Sequence, residues 1–146
     1  MKILVGAILL AVLTACQHRQ LVPESADNAA VRFVQAFNDQ DVEAMLRAVH
    51  EDVRYMFVEA DQIHVETKNK QALAAYLPTF FQQTPATQSS ILYSQQQGYH
   101  ISQVERATWR DQQGQLRTQC SWSVYQLQDG LIINIWYHSS FVCSAD

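Results

Sequence analysis

Five histidines are the first side chains to consider for acid–base or metal chemistry, because imidazole titrates near neutral pH and ligates metals. They are His18, His50, His64, His100 and His138. The sequence has no HxH, HxxxH or CxxC spacing, and a metal needs three or four converging ligands, so we predict no metal site. His64 and His138 lie in predicted strands and are the candidates for an acid or a base. A surface or structural role is the simpler interpretation of each.

Cys16 is the first residue with a candidate covalent role. It closes the segment LTAC (13–16), which follows a short positive start at Lys2 and an apolar run over residues 3–13. Spanning a bilayer takes about 20 apolar residues, so this run is too short for an anchor helix and has the length of a signal-peptide apolar region. The segment resembles the cleavage box of bacterial lipoproteins.

This resemblance implies that residues 1–15 are a signal peptide and that Cys16 carries acyl chains on its thiol and its new amino group. Several acyl chains on one residue anchor a protein stably. Residues 16–26 then hold the lipidated cysteine and a polar tether. Because Gln17 rather than Asp follows, the resemblance implies a bacterial cell envelope, at the outer membrane facing the periplasm. An ordinary secretory signal with a chance cysteine is the alternative.

The two remaining cysteines could form a disulfide in an oxidising compartment. If Gln128 faces Leu131 in an antiparallel pair, Cys120 faces Ser139, and Cys143 lies about 13 Å further along the strand. A disulfide needs Cα atoms within about 7 Å, so the tail would have to bend back. A Cys120–Cys143 disulfide and two free thiols therefore both stay open.

The composition is that of one globular domain. The chain has 146 residues, of which 48% are hydrophobic and 16% charged, and these values exclude a disordered chain. The formal net charge of −4 leaves no basic excess to neutralise phosphates, so we predict no nucleic-acid partner. We place the domain at residues 27–142 and a tail at 143–146.

Hydrophobic periodicity predicts three helices and six strands. The first two helices cover residues 28–37 and 42–49, capped by Asp27 and by the turn at 38–41. A third begins after Asn69 and is kinked or ends at Pro78. The predicted strands are 53–58, 63–67, 89–96, 99–110, 115–127 and 131–142. Turns containing glycine separate the last three, which predicts an antiparallel meander.

This order of elements, with VRFVQAFNDQDVEAMLRAVHEDVRY (31–55) and LQDGLIINIWYH (127–138), resembles the nuclear-transport-factor-2-like, or SnoaL-like, superfamily. The resemblance implies an α+β fold: a cone-shaped, strongly curved, mostly antiparallel sheet wrapped around three helices of the N-terminal half. It also implies an apolar pocket on the concave face and a homodimer through the convex face. Members include isomerases, dehydratases, epoxide hydrolases, polyketide cyclases and non-enzymatic binding domains, so the fold alone does not settle the function.

Aromatic residues on the third helix and on the strands would line this cone. On the last strand, Ile133, Ile135 and Tyr137 share the purely apolar face, which we expect to point inward. The opposite face, with Asn134 and Trp136, suits a dimer contact. The predicted pocket residues are Tyr55, Phe57, Tyr76, Phe80, Tyr93, Trp109, Trp122, Ile135 and Tyr137.

The acid–base pair of steroid-isomerase relatives is missing at the matching positions. Alignment on the 38–41 turn puts Phe33 in place of a tyrosine donor and Phe57 near the place of a carboxylate base. Neither exchanges a proton, so Glu59 or Asp61 would have to reach the cavity instead.

We therefore predict a membrane-tethered, non-catalytic domain that uses no cofactor and binds a small apolar ligand or an envelope partner protein. The alternative is a small lyase, isomerase or hydrolase acting on an apolar molecule. A pocket with two polar groups within hydrogen-bond reach and a shifted pKa would favour that enzyme. A sealed cone would favour a purely structural dimer.

Overall fold

The computed structural model describes residues 28–143. The predictions for the signal peptide, Cys16, the tether, Asp27 and the last three residues lie outside this range. The elements are α1 (Ala29–Asn38), α2 (Val42–Arg47), β1 (Val49–Glu59), β2 (Gln62–Thr67), α3 (Lys70–Gln83), β3 (Gln88–Gln97), β4 (His100–Arg110), β5 (Leu116–Gln128) and β6 (Leu131–His138). Between residues 28 and 143, no helix is long and apolar enough to cross a membrane.

Each helix begins at a polar side chain that caps it. Asn28, Asp41 and Asn69 each accept a hydrogen bond from the backbone N–H three residues on, at 2.9, 2.9 and 2.8 Å. This satisfies one of the free donors of the first turn. The cap of α1 is thus Asn28 rather than the predicted Asp27. Helix α2 ends at Arg47, and Val49, predicted at its end, instead begins β1.

Helix α3 presents an apolar side to the sheet, as its periodicity predicts. The buried positions are Leu73, Leu77 and Phe81. Tyr76 and Phe80 lie beside them and are partly buried against the core. Pro78 is exposed and does not end the helix, which continues to Gln83.

The six strands form one sheet in the order β2-β1-β6-β5-β4-β3. All neighbours are antiparallel except β1 and β6, which are parallel. The three helices contact β1, β2, β3 and β6. The predicted fold class is confirmed: an α+β domain with a curved, mostly antiparallel sheet and three helices in the N-terminal half. Its largest fully buried side chains are Tyr125, Met45, Leu73, Ile101, Ile132 and Ile135.

A bulge at Leu92 changes which side chains of β3 point inward. Ile91 pairs with Glu105, but Tyr93 pairs with Val104, so Leu92 is an extra residue without a partner. Since side chains alternate between faces, one inserted residue moves every later side chain to the other face. Tyr93 therefore shares the outer face with Val104.

A second bulge lies at Ile133 in β6. In β5, Leu127 pairs with Ile132 and its neighbour Gln126 pairs with Asn134, so Ile133 between them has no partner. Ile132 and Ile135 are consequently both fully buried, and Ile133 is not. The prediction that Ile133 shares the inward face of β6 is wrong for this reason.

Candidate functional site

A cavity of about 480 Å³ lies between the helices and the inner face of the sheet. Six of the predicted pocket residues line it: Tyr55, Phe57, Tyr76, Phe80, Trp109 and Tyr137. They come from β1, α3, β4 and β6, elements that are separate in sequence. Phe33 and Phe37 of α1 add two more aromatic side chains, so the first helix closes the side opposite the sheet.

The aromatic rings of the cavity form a continuous series of contacts. Ring centroids lie 5.7 Å apart for Tyr137 and Tyr55, 5.9 Å for Tyr55 and Tyr76, and 5.8 Å for Tyr76 and Phe80. The series ends at Phe37, 5.9 Å from Phe80. Such separations are those of favourable aromatic pairs, which hold the walls in fixed positions around the cavity.

The one buried carboxylate of the lining belongs to Glu105 in β4, which is 3% exposed. Its Oε1 accepts hydrogen bonds from Ser123 Oγ and, at 2.7 Å, from the Tyr125 hydroxyl. Its Oε2 accepts from Ser89 Oγ at 3.0 Å and from the Tyr137 hydroxyl at 3.2 Å. A carboxylate has about four lone-pair sites. Four hydroxyl groups therefore surround the carboxylate and occupy both of its oxygens, with the single proton of Tyr137 shared between Glu105 and Tyr125.

The tyrosines around Glu105 keep their protons. Burial raises the pKa of Tyr125 and Tyr137 well above the ordinary value, and the negative charge of Glu105 raises both further. Burial, followed by the neighbouring Tyr76, likewise raises the pKa of Tyr55. The two tyrosines at the carboxylate are linked to each other at 2.9 Å between hydroxyl oxygens. At neutral pH these side chains are neutral hydrogen-bond donors.

The mouth of the cavity is formed by lining residues that are exposed to solvent. They are Glu59, Gln119, His138, Ser139 and Ser140. Within the described part of the chain, no lysine or arginine lines the cavity. The charged groups of the lining are therefore the carboxylates of Glu105 and Glu59, with His138 at the mouth.

A disulfide fixes one side of this mouth. Cys120 and Cys143 are bonded, with Cα atoms 5.1 Å apart. Strand β6 ends at His138 rather than at the predicted residue 142, and beyond it the chain continues along β5 in a shifted register. Phe141 then exchanges backbone hydrogen bonds with Cys120 at 2.9 and 2.8 Å. Phe141 rather than Ser139 is thus opposite Cys120, and Cys143 lies two residues further on instead of four. This register brings the cysteines together, and their bond holds the rim residues 139–140.

Three predicted pocket residues lie outside the cavity. Tyr93 and Trp122 are on the outer face of the sheet, 42% and 46% exposed. The bulge at Leu92 turned Tyr93 outward, and Trp122 is opposite Val104 of that same face. Ile135 points inward but is fully buried in the core and does not reach the cavity surface.

The histidine candidates lie apart from the buried carboxylate. His64 is exposed on β2, paired with Phe57 of β1, and does not line the cavity. His138 does, but at the exposed mouth. Of the two carboxylates proposed as substitutes for a catalytic base, Glu59 lines the mouth and Asp61 does not line the cavity. No group of three His, Cys, Asp or Glu side chains that could hold a metal ion occurs in residues 28–143.

The functional residue that the sequence analysis missed is Glu105. The turn between β4 and β5 could have revealed Glu105. Once this turn pairs Arg110 with Leu116, the antiparallel register puts Glu105 opposite Ser121. Serine and tyrosine at alternate positions of β5 then fall on the face of this carboxylate. The arrangement presents a buried carboxylate whose oxygens already accept from hydroxyl groups, so a ligand in the cavity meets it chiefly as a negative charge.

Several solved structures share the fold of this chain. A protein with a ketosteroid isomerase-like fold from Catenulispora acidiphila, solved in complex with trimethylamine, has a TM-score of 0.66 at 8% identity, and the match covers 80% of this chain and 85% of that one. A SnoaL-like polyketide cyclase from Jannaschia has a TM-score of 0.60 at 16% identity, over 77% and 85% of the two chains. An epoxide hydrolase from M. tuberculosis scores 0.63 at 15% identity, over 75% and 78%.

At these identities the likeness is one of fold. A search of curated proteins found no significant match. The family model of the SnoaL-like domain matches residues 30–135, which span α1 to the middle of β6 and include every aromatic wall residue except Tyr137. The chain therefore belongs to the SnoaL-like domain family.

Proposed function

We propose that this protein is a lipid-anchored domain of a bacterial envelope that binds a small, mainly apolar molecule in the cavity. The observation that carries the proposal is a 480 Å³ cavity walled by aromatic side chains around one buried, hydrogen-bonded carboxylate. Ligand sites are typically cavities of about 300–1,000 Å³ with apolar walls and few fixed polar groups. The solved neighbour in complex with trimethylamine supports small-molecule binding by this fold.

A catalytic role is the second candidate, and one observation favours it. Glu105 and Tyr137 are two polar groups of the cavity within hydrogen-bond reach, at 3.2 Å, and the tyrosine pKa is raised. Such a pair could exchange protons in a lyase, isomerase or hydrolase. Against it stands the complete hydrogen bonding of Glu105. A substrate proton would have to displace one of four hydroxyls, so binding is the function that the geometry supports best.

Native mass spectrometry of the protein extracted from its own host membranes tests the binding function. We expect a small molecule to be retained by the wild type and lost from Ala107→Phe, because Ala107 lines the cavity and a phenyl ring there occupies ligand space. Thr108→Phe, on the outer face of the same strand and outside the cavity lining, is the matched control. Wild-type protein that carries no small molecule, or equal retention by both variants, would contradict the proposal.

We propose that two copies of the protein form a homodimer through the outer face of the sheet. Native mass spectrometry also gives the number of subunits and so tests this proposal. This face carries the exposed side chains of Tyr93 and Trp122 and, four residues along β5 from Trp122, the polar contact of Asn134 with Gln126 at 2.8 Å. Apolar side chains around hydrogen-bonding groups are common at interfaces between subunits. A partner protein of the envelope is the other occupant that this face could take.

The lipid anchor rests on the sequence around Cys16. We expect Cys16→Ser to move the protein from the membrane fraction to the soluble fraction, because the segment LTAC then has no thiol to carry acyl chains. Cys143→Ser is the control that removes a cysteine without touching the segment LTAC. Membrane fractionation with immunodetection is the measurement. A Cys16→Ser protein that stays in the membrane fraction would exclude this mode of anchoring.

A further inference from the structure

We propose that the ligand is an organic ammonium compound, preferably quaternary, whose positive charge sits among the aromatic walls beside Glu105. The inference rests on the proposed small-molecule binding and adds the charge and chemical class of the ligand. Three properties of the cavity carry it: the sign of its charges, the chemistry of its walls and the filled hydrogen bonds of its carboxylate.

The charge of the cavity is negative and has no counter-ion in the described protein. Glu105 is 3% exposed, its contacts are hydroxyl groups, and no lysine or arginine between residues 28 and 143 lines the cavity. Charges interact strongly where water is excluded. An anionic ligand would add a like charge at this site, whereas a cation would compensate the buried one.

The walls fit a cation as well as an apolar group. Tyr55, Phe57, Tyr76, Phe80 and Tyr137 line the cavity. The negative face of an aromatic ring attracts a cation within about 6 Å of its centroid, and the attraction grows when the cation is desolvated. Aromatic walls combined with a buried carboxylate favour a positively charged apolar group over a neutral group of the same shape.

The hydrogen bonds of Glu105 select the kind of ammonium. Four hydroxyl groups occupy both carboxylate oxygens, including Ser123 and Tyr125 on Oε1. A primary amine has N–H donors that need acceptors, and it would have to displace these hydroxyls to find them. A quaternary ammonium has no N–H group and interacts with the carboxylate through charge alone. The cavity therefore favours methylated ammonium groups.

Three probes of one shape test the proposal on the purified full-length protein: phenyltrimethylammonium, its neutral isostere tert-butylbenzene and the anion benzenesulfonate. Binding is measured by titration calorimetry and by ligand-observed NMR. We expect the cation to bind at least about tenfold more tightly than the isostere, since a desolvated cation–π contact contributes that much, and the sulfonate not to bind. Glu105→Gln should lower the cation-to-isostere ratio, because the buried charge is gone, and leave only the part that the aromatic walls contribute. Glu43→Gln, the same charge change on exposed α2, should leave the ratio unchanged.

A second variant covers the case in which Glu105→Gln does not fold. Tyr55→Leu keeps an apolar wall but removes one ring, so we expect it to weaken the cation about threefold more than the isostere. If the wild type binds tert-butylbenzene or benzenesulfonate as tightly as the cation, the ammonium proposal is overturned while the binding function stands. If the wild type binds none of the probes, both are overturned.

Discussion

Tyr125→Phe is expected to lower the free energy of unfolding by about 2–3 kcal/mol, although the change removes a single oxygen atom. The Tyr125 side chain is 0% exposed, and its hydroxyl donates to Glu105 Oε1 at 2.7 Å. A hydrogen bond to a charged group contributes more than one between neutral groups. Without this donor, the buried carboxylate loses one of its four hydroxyl partners.

Urea denaturation followed by circular dichroism measures this effect, with Tyr93→Phe as the control. The hydroxyl of Tyr93 also donates to a side-chain oxygen, that of Gln95 at 2.9 Å, but on the exposed surface. We expect its loss to change stability by less than about 0.5 kcal/mol. In a Glu105→Gln background, Tyr125→Phe should cost less, because the charge that made the bond strong is gone. Equal destabilisation by the two tyrosine variants would show that the cluster is not what stabilises this part of the core.

Cys143→Ser is expected to lower the free energy of unfolding by about 3 kcal/mol. The disulfide joins residues 23 apart in sequence, and closing a loop of this size in the unfolded chain accounts for about that much. The variant also releases the backbone pairing of Phe141 with Cys120 and, with it, the rim residues 139–140. We therefore expect probe affinity to fall along with stability.

Thermal unfolding with and without a thiol reductant tests the role of the disulfide. The reductant should lower the Tm of the wild type to that of Cys143→Ser and leave the variant unchanged. Val142→Ser is the matched control at the neighbouring residue, which is 91% exposed, and it should unfold like the wild type. A Cys143→Ser protein as stable as the wild type would contradict a structural role for the bond.

Local patterns in the sequence were enough to predict the helices and most strand positions. Leu73, Leu77 and Phe81 recur at helical spacing and are buried in α3, because a helix that packs on one side needs that spacing. Asn69 caps this helix as predicted. The turns that contain Gly114 and Gly130 also predicted the meander of β4, β5 and β6, since the geometry of a tight turn fixes the pairing of the two strands that it joins.

Features that depend on distant residues could not be predicted in this way. The bulges at Leu92 and Ile133 have no glycine or proline to mark them. The first turns Tyr93 to the outer face of the sheet, and the second removes Ile133 from the inward face of β6. The disulfide depends on register shifts that put Phe141 rather than Ser139 opposite Cys120, and strand alternation does not reveal them. Glu105 was missed because a single carboxylate in a strand is usually solvent-exposed. The hairpin of β4 and β5 already puts Ser123 and Tyr125 on its face, but its partners from β3 and β6 are recognisable only once the sheet is assembled.

The parallel pair of β1 and β6 has a consequence for folding rate. In the sheet order β2-β1-β6-β5-β4-β3, this pair alone connects the N-terminal hairpin to the C-terminal meander, and it matches Arg54 with Asn134. Their sequence separation gives the fold a high contact order, which slows folding because a long loop must close before the contacts form. The cavity thus has no complete wall until the last strand has been synthesised. Until then the aromatic residues of β1 and α3 are surfaces on which an unfinished chain could aggregate.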